Sequence, residues 1–213
     1  MNTSTNPPVI YVNSVSSFAS QAVQAIQEAL GLLTFTDSDT SFANYYFSTI
    51  YGIAEKDLNE ETKDRPITTI CGEYQSVQPN DKDFSSCFFY VHGQNLTYQG
   101  QYMTYDISLL GWLNESRFGN YRTSIAYELT DAIYRQVFNK NQWSANPLRP
   151  IVDEDGIQIS TQTDSDVWKD FSPETFLNDY QKYISYRIRF KVSLQVGCLP
   201  INNINSGNAC LTC

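Results

Sequence analysis

Three places in this 213-residue chain hold side chains whose type and spacing invite chemistry. The first is His92, the only histidine, inside "SSCFFYVHGQ". A lone imidazole rules out Ser–His–Asp, Cys–His and multi-histidine metal sites, or reduces them to a single ligand. Embedded in an apolar strand beside Gly93, His92 reads as structural, its one rival role being a pH-sensitive contact. The second is the closing "CLTC", Cys210 to Cys213, which has the C-x2-C spacing of half a zinc knuckle or a redox pair. Tetrahedral zinc needs two further ligands; Cys198 supplies one, and no fourth stands nearby. A redox pair caps a helix N-terminus, and this sequence stops at Cys213. The third is "DEDG": Asp153, Glu154, Asp155 and Gly156. It lacks the ligand order and distal Glu of a calcium loop, so it reads as an acidic hairpin turn. No Walker loop or G-x-G-x-x-G is present. No spacing singles out a carboxylate pair among the 23 acids. The expectation is no enzyme, no metal and no cofactor.

One basic constellation remains. In "YISYRIRFKVSLQVG" (183–197), Ile184, Tyr186, Ile188, Phe190, Val192, Leu194 and Val196 alternate with a second set containing Arg187, Arg189 and Lys191. Period two makes this a strand with one apolar face and a basic stripe roughly 13 Å long on the other. A solvated face whose charges discourage edge aggregation would look like this. So would a docking rail for an acidic surface on an adjacent copy, such as Asp153–Glu154–Asp155 or the 37–64 region. In that case the charges set register more than affinity.

The elements around these residues read as follows. Residues 1–13 form an extended arm. Apolar positions from Val15 to Leu33 repeat at helical spacing, with Ser14 or Ser16 as N-cap and Gly31 near the end. The other face of this helix, Gln21, Gln24, Gln27 and Glu28, is polar but weakly charged, as a contact surface is. Residues 34–84 are an elaborated region, with a short strand in "ITTICGEY" and a turn in "QPNDKD". "SSCFFYVHGQ" and "QYMTYDISLLGWLN" flank a hairpin connection, "NLTYQG". A second helix spans about Ser116 to Lys140, burying Tyr121, Ile125, Leu129, Ala132, Ile133, Val137 and Phe138. "IQISTQT" is a strand, and "SPETFLNDYQ" begins a short helix at Ser172–Pro173. The organisation is an arm (1–13), a single domain (14–197) and a cysteine-bearing tail (198–213). The fold class is α+β, an antiparallel sheet or sandwich with two main helices packed on it.

Composition limits the functional classes. A formal net charge of −9 lacks the basic footprint of a nucleic-acid groove reader. It suits a channel that DNA slides through without sticking. Fifteen tyrosines favour extensive protein contact, or an AT-rich coding sequence. The five cysteines, an odd count, and the unpromising N-terminus point to reduced thiols and a soluble protein made in a cytoplasm, without a membrane span.

The order of a first amphipathic helix, a strand pair ending in "YDISLLGWL", the helix "YRTSIAYELTDAIYRQVF", a Trp in "DVWKDF" and a last strand resembles the phage tail-terminator and tail-completion family. In that family the last strand reads as an aromatic followed by R-I-x-F-x-V. Here Tyr183, Tyr186, Arg187, Ile188, Phe190 and Val192 fill the pattern. The likeness covers about two-thirds of the chain. The long 34–84 region and the cysteine-bearing tail depart from it, and resemble neck ring proteins of crAss-like phages. The resemblance implies a non-enzymatic virion protein of the head-to-tail connector, assembled in the host cytoplasm. It implies a hexameric or dodecameric ring around passing DNA, contacting itself and neck, portal or tail proteins. Arg187, Arg189, Lys191, Asp153, Glu154 and Asp155 are then the candidate interface residues. Two rivals stand beside it: a carbohydrate- or ligand-binding module using exposed Tyr and Trp (Trp112, Trp143, Trp168), and a small acid-dependent hydrolase.

Overall fold

A computed structural model describes residues 8–10, 18–33, 47–59, 65–70, 73–92, 97–99, 102–114, 122–138, 149–160, 166–171 and 183–195. The chain is an α+β protein. Its strands are β1 (Val9–Ile10), β2 (Thr49–Lys56), β3 (Pro66–Ile70), β4 (Glu73–Ser76), β5 (Ser85–Val91), β6 (Thr97–Gln99), β7 (Tyr102–Asn114), β8 (Arg149–Ser160) and β9 (Tyr183–Gln195). Its helices are α1 (Phe18–Gly31) and α2 (Arg122–Ile133), the latter running into a π-helical turn, Tyr134–Phe138.

Among the described residues the strands form one sheet in the order β4-β3-β2-β5-β7-β9-β8, with β1 added to β2 and β6 to β7. Most pairs are antiparallel, but β2 runs parallel to both β1 and β5, so the sheet is mixed. The last strand lies between the long strand β7 and the edge strand β8. β9 pairs along its whole length with β7, from Tyr102↔Gln195 to Asn114↔Tyr183, and takes β8 on its other side.

Alternation then divides the side chains between two faces. Cys87, Phe89, Ile107, Leu109, Leu113, Ile184, Tyr186, Ile188, Phe190 and Val192 form the main core. Ala22, Val23, Ile26 and Leu30 of α1 close over them, with Leu129 and Ile133 of α2. Of the stripes expected from helical periodicity, Ala19, Ala22, Val23, Ile26, Leu30 and Leu33 of the first and Leu129, Ala132, Ile133, Val137 and Phe138 of the second are buried, and Ala29 is partly buried. The side chains of Val15, Phe18, Tyr121 and Ile125 lie outside the described ones. Widening the last turn to a π-turn brings the adjacent Val137 and Phe138 both inward, and Phe138 packs 4.8 Å from Phe190 between ring centroids. Tyr186 leaves no room opposite: a Cβ on Gly111 would overlap its ring and the Ser86 carbonyl.

Several local expectations are corrected. "ITTICGEY" is not one strand; β3 and β4 pair antiparallel, with Ile70 opposite Glu73. "DEDG" is not a hairpin turn. It lies inside the continuous strand β8, where pairing passes from Val152↔Phe190 to Ile157↔Ile188. Five steps on β8 match two on β9, so three residues bulge out of the ladder. Gln27 does not belong to an outer polar face of α1. It is buried, and its amide donates to the Tyr51 carbonyl at 3.0 Å. Ser14, Ser16, the Ser172 helix, the arm before Pro8 and the cysteine-bearing tail lie outside the described residues.

Candidate functional site

The face of the sheet turned away from the helices carries His92 and the basic stripe, and around Arg187 it is not a solvated surface. Phe88 of β5, Leu110 and Trp112 of β7 and Tyr183 of β9 make a second apolar cluster, covered by Val167, Trp168 and Phe171. These three come from the short segment 166–171, which opens with a 3-10 turn at Asp166–Trp168. Trp168 stacks on Trp112 at 5.1 Å, and the edge of Phe171 meets Phe88 at 5.8 Å and Tyr90 at 5.1 Å. Such aromatic pairs add about 0.5–1.5 kcal/mol each beyond the area they bury.

Arg187 lies beside this cluster and is only 1% exposed. Its guanidinium uses all three nitrogens. Nε donates to Ser108 Oγ at 3.0 Å, Nη1 to the Val167 carbonyl at 3.3 Å, and Nη2 lies 2.5 Å from Asp170 Oδ2. Nη2 is also 3.1 Å from His92 Nε2. His92 is held by its own backbone N–H, which donates to the Asp106 carbonyl at 2.9 Å, and by the Tyr90 ring at 5.0 Å. Two residues further along β9, on the same face, Arg189 grips Asp106 with Nη2 at 2.9 Å and Nε at 3.4 Å. Both arginines reach diagonally: Ser108 lies opposite Arg189 and Asp106 opposite Lys191 in the ladder, yet each bonds the arginine two places away.

The basic stripe is therefore three different things. Arg187 is a buried cation paired with Asp170, and it is withdrawn as a residue of an exposed docking rail. Arg189 is partly covered and engaged by Asp106. Lys191 is exposed. Asp153, Glu154 and Asp155 fall at the bulge of β8 and are not adjacent in the ladder to Arg187, whose partner there is Gln158. The alternation does place Arg187, Arg189 and Lys191 on one face of β9. The missing signal was "DVWKDF", whose Val167, Trp168 and Phe171 supply an apolar cover and whose Asp170 supplies the counter-charge.

The structure also corrects the exclusion drawn from the single histidine. One imidazole is enough for a Ser–His–Asp set, and one is assembled here. Ser108 Oγ lies 2.9 Å from His92 Nε2, and Asp170 Oδ1 lies 3.9 Å from His92 Nδ1. Its chemistry differs from that of a nucleophile. Ser108 is fully buried, and the Arg187 guanidinium lies against both Oγ and Nε2. A cation donating into Oγ and Nε2 lowers the basicity on which serine activation depends. Because a guanidinium only donates, Nε2 must present its lone pair, which places the ring proton on Nδ1 facing Asp170. Burial holds the His92 pKa below its ordinary value. Asp170 pulls it up, Arg187 pushes it down, and Asp106 and Arg189 add smaller opposing effects.

Trp112 and Trp168 are buried in the second cluster, so they are not the exposed stacking platforms of a glycan-binding surface. Trp143 lies outside the described residues. Among the described residues no group of three or more His, Cys, Asp or Glu is placed to hold a metal ion. Cys87 is a free, buried thiol facing the Tyr186 hydroxyl, and burial pushes its pKa far up. Cys71, Cys198, Cys210 and Cys213 lie outside the described residues. No described helix is long and apolar enough to cross a membrane. Comparison with protein-family models and with curated proteins found no match to this chain.

Proposed function

We propose that this chain is a ring-forming structural subunit of a phage head-to-tail connector, terminator- or adaptor-like, enclosing a channel that DNA traverses without specific binding. It would be built into the virion neck from copies made in the host cytoplasm, in contact with itself and with portal, neck or tail proteins. The observation that carries the reading is the placement of exposed apolar side chains at opposite ends of the sheet. Tyr74 on β4 is 71% exposed at one end, and Ile151 on β8 is 60% exposed at the other. A closed ring is a heterologous assembly, in which one patch of a subunit meets a different patch on the next, and it needs two unlike surfaces set far apart. The long edge strand β8, with Ile151 exposed, invites pairing unless something covers it, and a neighbouring subunit would do so. The resemblance noted in the sequence, carried by the order of helices and strands and by the last strand's aromatic and R-I-x-F-x-V pattern, is the other support for the reading.

The test is the mass of the purified protein in solution across concentration, followed by imaging of particles. Closed six- or twelve-fold rings with a central channel are the expected result. A chain that stays monomeric at high concentration, alone and with a portal-type ring, overturns the reading.

A further inference from the structure

We propose that His92, Arg187 and Asp170 form a pH-sensitive latch, which holds segment 166–171 against the sheet at neutral pH and releases it on mild acidification. The argument starts from donors and acceptors. Arg187 Nη2 lies 3.1 Å from His92 Nε2, and a guanidinium has no lone pair to offer. The contact exists only while Nε2 is unprotonated. A proton there sets N–H against N–H and puts a second positive charge beside a buried one.

The groups facing His92 fix the direction. From β9 come Arg187 and Arg189, both cationic. From β7 comes Asp106, already gripped by Arg189, and Ser108, which shares its hydroxyl with Arg187. From β5 comes the Tyr90 ring, and from the segment itself Asp170, whose Oδ2 is committed to Arg187. Asp170 would welcome an imidazolium, but only its more distant Oδ1 is available, at 3.9 Å from Nδ1. Desolvation is the largest influence and opposes the charged ring. In the open state His92 regains a pKa near its ordinary value of about 6.5. The open state therefore binds the proton more tightly, so the closed state is favoured above about pH 6.5 and loses ground as pH falls below it.

What the latch holds is defined by the same geometry. Arg187 is bonded to the segment at two points, the Val167 carbonyl and the Asp170 carboxylate. Turning Arg187 away from His92 loosens both, and with them the Trp168–Trp112 stack. Tryptophan emission reports the event directly, and the single histidine makes its ring resonances unambiguous.

The experiment follows tryptophan fluorescence and far-ultraviolet circular dichroism of the full chain from pH 7.5 to 5.0, beside ring-nitrogen magnetic resonance of His92. Expected are a red shift in emission with unchanged far-ultraviolet signal, a proton on Nδ1 at neutral pH, and a His92 pKa below 6.5. In His92→Gln, which keeps an acceptor and cannot titrate, the red shift should vanish from this range. A wild-type spectrum that stays constant to pH 5.0 overturns the proposal, as does a red shift retained in His92→Gln. Should that variant fail to fold, the resonance readout decides alone: a proton on Nε2 or a pKa at or above 6.5 overturns it.

Discussion

Arg187 shows how a residue can carry one meaning in the sequence and another in the fold. Its position in an alternating R-x-R-x-K run marks an outward face, and that face is outward only relative to the helices. Removing the side chain strands Asp170 and the acceptors Ser108, His92 Nε2 and the Val167 carbonyl. Breaking a buried pair from one side costs about 3–5 kcal/mol, and Arg187→Ala should fall at the lower end because the Asp170 side chain keeps 22% of its exposure to water. Arg187→Met combined with Asp170→Asn should recover most of the loss, since replacing both members with packed, uncharged groups is close to neutral. Lys191→Ala, on the exposed end of the same stripe, should change stability by less than about 0.5 kcal/mol. Urea unfolding followed by tryptophan fluorescence checks all three. Equal, small effects at Arg187 and Lys191 would mean that the guanidinium is not in the cluster described. Arg187→Glu is for the same reason no probe of a surface contact, because it would bury a carboxylate beside Asp170.

At the level of elements, the two helices act as lids on one face of the sheet, and the π-turn is the feature that completes α2. Phe138 is expected to be the costliest single truncation there: Phe138→Ala should lose about 3–5 kcal/mol, measured by thermal or urea unfolding, because it empties the space against Phe190. A loss below about 1 kcal/mol would place the ring outside the core. The helices, β7 and β9 were legible because each repeats a single period long enough to be counted, and β5 because it is a short apolar run bounded by turn residues. The mixed pairing was not: β2 joins β5 in parallel across a connection that contains the β3–β4 ribbon, and no local pattern encodes that choice. The bulge in β8 was misread because Asp-Glu-Asp-Gly has turn composition, while the ladder of β9 carries the strand through it. The charged cluster was half visible. Alternation put Arg187 and Arg189 on one face, but Asp170, Ser108 and His92 reach them across distances of 17 to 95 residues. The pairing of β5, β7 and β9, with segment 166–171 packed over them, brings them together.

For the whole molecule, the proposed ring raises the question whether the β8 end of the sheet is one of its two contact surfaces, and the bulge in β8 offers a clean way to ask. The ladder passes from Val152↔Phe190 to Ile157↔Ile188, so deleting Asp153, Glu154 and Asp155 would restore two steps against two. The deletion touches an edge strand whose pairing to β9 on either side is kept, so the monomer's stability should change by no more than about 1 kcal/mol. If the acidic bulge is a docking feature, this variant folds and no longer forms rings. A second variant, Asp153→Asn with Glu154→Gln and Asp155→Asn, keeps the backbone and removes the charge. Rings lost in both variants assign the contact to charge. Rings lost only in the deletion assign it to the shape of the bulged edge, where charge sets rate and register more than affinity. Rings intact in both, by light scattering and particle imaging at matched stability, would remove β8's bulge from the interface. The contact would then have to use the exposed Ile151 side of β8, where Ile151→Lys is the corresponding probe.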